Sequence, residues 1–97
     1  MTDDIADGAI TRELKILNKK GLHARASAKF VQCVDRFEAE VYVAKDGQSV
    51  LGTSIMGLMM LAAGIGSFIE VRATGAEAAA AVEAIAELIN DRFGEGE

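Results

Sequence analysis

Residues 38–52 read EAEVYVAKDGQSVLG, and the fold turns on this stretch. Ala39, Val41 and Val43 alternate with Glu38, Glu40 and Tyr42. That period of two predicts a strand with one buried face. Asp46-Gly47 follows, a dipeptide suited to a two-residue type I′ turn, whose central positions both need positive φ. QSVLG is then the return strand. A tight hairpin makes these two strands antiparallel, so the sheet they belong to cannot be wholly parallel.

Working outward, RELKIL alternates Leu14 and Ile16 with Glu13 and Lys15, a further strand, and NKKG makes a loop. Ala26, Phe30, Cys33, Val34 and Phe37 follow helical spacing, which predicts a helix from about Ala24 to Arg36. Ser54 precedes an apolar run and reads as an N-cap. The helix it opens, SIMGLMMLAA, is expected to stop at Gly64 in a left-handed cap. SFIEVRA alternates Ile69, Val71 and Ala73 with Phe68, Glu70 and Arg72, a fourth strand. Thr74-Gly75 turns into AEAAAAVEAIAELINDRF, whose buried stripe is Val82, Ile85, Ile89 and Phe93. The order is β-α-β-β-α-β-α. A four-stranded sheet carrying three helices on one face buries every stripe, which gives an α+β open-faced β-sandwich. Periodicity does not fix the strand order. The expected layout is a flexible acidic extension over residues 1–10, one domain over 11–93 and a disordered tail over 94–97.

The totals narrow the function. The chain has 97 residues and a formal net charge of −5, with its basic residues scattered and no tryptophan. No basic stripe exists to follow a phosphate backbone, so nucleic acid is not an expected partner. Cys33 is the sole cysteine, which excludes an intrachain disulfide and fits a reducing compartment. No Cys/His cluster offers a metal site, and no cofactor is expected. The opening MTDDIADGAI has no Lys or Arg and does not read as a signal peptide. Residues 47–69 carry no charge and invite a membrane reading. Four glycines, Thr53, Ser54 and Ser67 interrupt that run, which divides instead into strand, helix, turn and strand.

The chemistry gathers at residues 21–27, GLHARAS, which hold the only histidine, His23. A helix's first turn has unpaired N–H groups and partial positive charge, so it receives an anion readily. Backbone N–H groups of Ala24 and Arg25 fall there, and the Arg25 guanidinium adds a fork for phosphate oxygens. A neutral imidazole beside them has a ring nitrogen free as a nucleophile. No obvious base stands near His23 in the sequence. The residues alone leave two readings open: polar loop surface, or a carrier of a phosphoryl group.

GLHARASAKFV resembles the phosphorylation-site motif of HPr, the histidine-containing phosphocarrier of the bacterial phosphoenolpyruvate-dependent phosphotransferase system. TSIMGLMML resembles the second motif of that family, around its regulatory serine. The resemblance covers roughly residues 10–93. It implies an antiparallel sheet of strand order 1-4-2-3. It implies that His23 is phosphorylated on Nδ1 by phosphorylated enzyme I and passes the group to a histidine of an enzyme IIA protein, the carrier itself not being an enzyme. It implies that Arg25 steadies the phosphoryl group and that Ser54 is the target of an HPr kinase/phosphorylase. A cytoplasmic monomer is the corresponding expectation. One departure is plain: the family usually has proline where this chain has Ala26, and the expected consequence is an altered transfer rate or phosphate lifetime. Lys20 stands where many relatives have a small polar residue and adds positive charge near the site.

Around Ser54, Leu58 and Leu61 are the expected core residues. Ile55, Met56 and Met59, together with Lys29 on the first helix, are the expected docking residues. The methionines admit a second reading as core fillers. Cys33 reads as a small core residue. Two rival functions remain: an acylphosphatase-like hydrolase, and a regulatory module acting through Ser54 alone.

Overall fold

Strand β1 (Ile10–Lys15) leads through a short loop into helix α1 (Ala24–Val34). The hairpin β2 (Glu40–Lys45) and β3 (Gln48–Leu51) follows, then the short helix α2 (Ile55–Met60). Strand β4 (Phe68–Thr74), helix α3 (Ala78–Asn90) and a 3-10 turn (Arg92–Gly94) complete the chain. This computed structural model describes residues 9–95. The proposed extension falls mostly on residues 1–8 and the end of the proposed tail on residues 96 and 97, all outside the described residues. Ile10 already belongs to β1, and Gly94 to the closing turn.

The strands form one antiparallel sheet of order β1-β4-β2-β3. Register aligns the alternation seen in the sequence: Leu14 faces Ile69, and Val43 faces Val71. Leu14, Val41, Val43, Ile69, Val71 and Ala73 are buried on one face, against which α1 and α3 lay Phe30, Val34, Val82, Ile85 and Ile89. Glu13, Tyr42, Phe68 and Glu70 take the opposite, exposed face. The hairpin turn is as expected, with Asp46 at φ 52° and Gly47 at φ 84°. The charge-free run 47–69 resolves into β3, α2 and the start of β4. Among the described residues, no helix is long and apolar enough to cross a membrane.

Two helix ends differ from expectation. Helix α2 stops at Met60, and the left-handed residue beyond it is Ala62 (φ 53°), not Gly64. The cause is tertiary. Ala63 has to bring its carbonyl to the Leu22 N–H (3.0 Å), so the chain leaves the helix early. Helix α3 stops at Asn90, so Phe93 is not on its stripe. Phe93 is fully buried all the same, reached through two consecutive left-handed residues, Arg92 (φ 53°) and Phe93 (φ 54°). Such values are uncommon for residues other than glycine. Burial of the ring and a 2.6 Å bond from Lys29 Nζ to the Phe93 carbonyl offset their cost.

Among the described glycines, Gly21 makes the closest approach to its surroundings. Its φ is +64°, and an added Cβ would stand 2.2 Å from the Ala63 carbonyl oxygen and 2.8 Å from Gly64 Cα. Gly47 also has positive φ, but open space surrounds it. Gly21→Ala is therefore expected to cost about 3 kcal/mol or more, since backbone strain and a backbone clash combine. Gly47→Ala should cost about 1 kcal/mol. Urea unfolding of both variants checks the contrast; equal losses would contradict the close approach.

Candidate functional site

The loop before α1 is built to present His23. Asn18 is fully buried and donates from Nδ2 to the Gly21 carbonyl at 2.8 Å. Gly21 presses the loop onto Ala63, and Ser27 Oγ donates to the Leu22 carbonyl at 3.1 Å. His23 is the N-cap of α1, with an extended backbone, and its ring makes no capping bond. The first intrahelical bond runs from the Ser27 N–H to the His23 carbonyl at 2.8 Å. The N–H groups of Ala24, Arg25 and Ala26 therefore have no partner within the helix. Ala26 is fully buried, so a proline there would lose no helical bond but would have to fit its ring into the core.

Around the imidazole lies an open basin lined by Lys20, Ala24, Arg25, Lys29, Gly94 and Glu95. Three cationic side chains thus share one small surface with a helix start. Ala24 and Arg25 are exposed, while Lys29 is partly occupied in holding the Phe93 carbonyl. On the other side of the loop, Lys20, Leu22 and His23 line a shallow groove with Ala62, Ala63 and Gly64. The segment leaving α2 is therefore a direct neighbour of the histidine.

Ser54 caps α2 as expected, its Oγ accepting the Gly57 N–H at 2.9 Å. Leu58 and Leu61 are buried. Ile55 (40% exposed), Met56 (70%) and Met59 (40%) are not, which rules out the core-filling reading for these two methionines. Burial pushes the Cys33 thiol up, although the Arg36 charge pulls the other way, so it is an inert core group and not a ready thiolate. Among the described residues, no group of three or more His, Cys, Asp or Glu side chains could hold a metal ion.

One partner was not foreseen. The sequence offers no obvious base near His23, yet Glu95 Oε2 lies 2.5 Å from His23 Nε2. The other oxygen, Oε1, accepts from Asn18 Nδ2 at 3.1 Å. Residues 94 and 95, read as tail, are part of the site. Burial alone would raise the Glu95 carboxyl. The hydrogen bonds from His23 and Asn18, with the charges of His23 and Lys29, outweigh it and hold the group below its ordinary value.

A half-buried histidine on a helix start, beside three cations and set on a small antiparallel sandwich, suits a protein that handles a phosphoryl-sized anion. The comparisons narrow this class. Residues 10–91 match the family model "PTS HPr component phosphorylation site". The phosphocarrier protein HPr of Neisseria meningitidis is 52% identical over 88 residues, covering 91% of this chain and 99% of that one. The phosphocarrier protein HPr of Cupriavidus necator is 48% identical with the same coverage. The crystal structure of HPr-C-His from Thermoanaerobacter tengcongensis superposes with a TM-score of 0.85 at 38% identity, over 89% of this chain and 97% of that one. The chain belongs to the HPr family of phosphocarrier proteins of the phosphotransferase system. Membership displaces the acylphosphatase-like alternative.

The Glu95 geometry carries a pH consequence. Its folded-state value lies below its unfolded one, so its bonds stabilise fully above the ordinary value of about 4.5 and are lost as pH falls through the lower folded value. Urea unfolding between pH 3 and pH 7 should therefore show a steeper acid loss of stability for the native chain than for Glu95→Gln. Identical acid limbs would mean that the carboxylate is not engaged.

Proposed function

We propose that His23 accepts a phosphoryl group from phosphorylated enzyme I and delivers it to a histidine of an enzyme IIA protein. The observation that carries this reading is the position of His23: the N-cap of α1, in a basin shared with Lys20, Arg25 and Lys29. A ring nitrogen lone pair attacks phosphorus, a P–N bond forms, and the donor's bond to phosphorus breaks with its electron pair returning to the donor. The N–H groups of Ala24 and Arg25 and the Arg25 guanidinium receive the oxygens. Phosphoryl transfer asks for positioning and charge stabilisation more than for covalent chemistry from the protein. The product stays at the surface, where a second partner can reach it, so the chain acts as a carrier and not as an enzyme.

The exposed residues Ile55, Met56 and Met59 supply the apolar part of the docking face, with methionines able to adapt to more than one partner. Lys29 contributes from α1 at the rim of the basin. Ser54 caps the helix that bears this face, so phosphorylation there by an HPr kinase/phosphorylase places charge within it. Phosphate at a helix N-terminus is electrostatically favoured and leaves the fold intact. The working form is a cytoplasmic monomer.

Intact mass after incubation with enzyme I and phosphoenolpyruvate tests the carrier role. One acid-labile phosphate is expected on the native chain and none on His23→Ala. No phosphate on either, with the same enzyme I charging another carrier, would overturn it and favour a regulator acting through Ser54 alone. Ser54→Asp should slow phosphorylation of His23 about tenfold, the effect of about 1.4 kcal/mol of like-charge repulsion against an acidic partner surface. An unchanged rate in a folded variant would count against regulation at that site.

A further inference from the structure

Glu95 is held too deliberately to be incidental. Its side chain is 12% exposed and that of His23 27%. Three features of the turn around Phe93 bring it there: the buried Phe93 ring, the left-handed pair Arg92 and Phe93, and the bond from Lys29 Nζ to the Phe93 carbonyl. A fourth links it to the loop. The Asn18 amide nitrogen gives one hydrogen to the Gly21 carbonyl and the other to Glu95 Oε1. Both partners are acceptors, so the amide orientation is forced, although Asn18 Oδ1 is left buried with no partner among the described residues.

An ionised carboxylate only accepts hydrogen bonds. The ring nitrogen facing it must therefore carry the proton, and that nitrogen is Nε2. A neutral imidazole has a single N–H, so the lone pair is left on Nδ1. We propose that Glu95 is a positioning residue that locks His23 in the Nε2–H tautomer and so makes Nδ1 the nucleophile. This deepens the phosphoacceptor reading and rests on it.

The step balances without a base. The Nδ1 lone pair forms the new P–N bond while the donor keeps the electron pair of its own bond to phosphorus, which breaks. No proton has to leave Nδ1. The ring becomes positive as the bond forms, and its Nε2–H then faces the Glu95 carboxylate. The carboxylate therefore interacts more strongly with the charged, phosphorylated ring than with the neutral one, the condition under which an interaction speeds a step. The other charged groups lining the basin are cations, Lys20 from the loop and Arg25 and Lys29 from α1. They suit the phosphoryl oxygens and cannot replace Glu95 at Nε2.

Glu95→Gln separates a tautomer lock from a mere tether. A carboxylate serves two donors, Asn18 Nδ2 and His23 Nε2. Glutamine has one oxygen for the two and must turn its NH₂ toward one of them. The full-length chain labelled with ¹⁵N-histidine is examined by two-bond ¹H–¹⁵N correlation at a pH where the ring is neutral. The native chain should show Nε2 protonated and Nδ1 bare. Glu95→Gln and Glu95→Ala should each lower the ratio of Nε2–H to Nδ1–H forms about tenfold, the effect expected of losing a charge-assisted hydrogen bond. Glu95→Asp should restore part of the ratio. Phosphorylation by enzyme I should slow in the same rank order. An unchanged ratio in both Glu95→Gln and Glu95→Ala, or a native chain protonated at Nδ1, overturns the proposal. The ratio is read on unphosphorylated protein, so it stands or falls separately from the carrier reading, which fails only if the native chain takes no phosphate.

Discussion

The site depends on one backbone contact. Gly21 lies so close to Ala63 and Gly64 that no side chain fits between them, and the Leu22 N–H completes the junction by donating to the Ala63 carbonyl. This contact ends α2 before Gly64 and fixes the angle at which the loop enters α1. It also sets the histidine beside the segment leaving the helix that Ser54 caps. On the proposed function the chain meets two partners in one geometry, and such rigidity suits that role, because an open site cannot rely on a closed pocket for alignment. Backbone-to-backbone packing provides it without covering the imidazole.

Much of the architecture was legible because it rests on local rules. Period-two alternation set the strands, Asp46-Gly47 set the hairpin, and Ser54 announced the start of α2. Leu58 and Leu61 sit one turn apart in a short apolar run that must cover the sheet, and both are buried. The strand order was not in the periodicity, since every strand buries one face whatever its neighbour. It came from the resemblance carried by GLHARAS and TSIMGLMML, and the observed order agrees.

The unread parts share a cause: they are decided by contacts far apart in sequence. Gly64 looks like the natural helix stop, yet Ala62 takes the left-handed turn because Ala63 is needed elsewhere. Phe93 continues the helical stripe on paper, but the helix ends at Asn90 and the ring reaches the core by another route. Two left-handed residues of ordinary type give no sequence signal. Without that turn, Glu95 reads as one acid in a polar ending, and its meeting with a histidine 72 positions earlier is invisible. Asn18 could have raised suspicion, as a polar residue just after an apolar strand. Only its burial shows that it braces both the loop and the carboxylate.

On the proposal, the two ring nitrogens do different work: Nε2 faces the carboxylate of Glu95 and Nδ1 takes the phosphoryl group. The most direct test is a two-bond ¹H–¹⁵N spectrum of the chain after phosphorylation by enzyme I, with ¹⁵N in the His23 ring. Phosphorus on Nδ1 and a proton kept on Nε2 are the expected result. Phosphorus on Nε2 would require Glu95 to have left the ring, and would contradict the assignment of the nucleophile and the role given to the carboxylate.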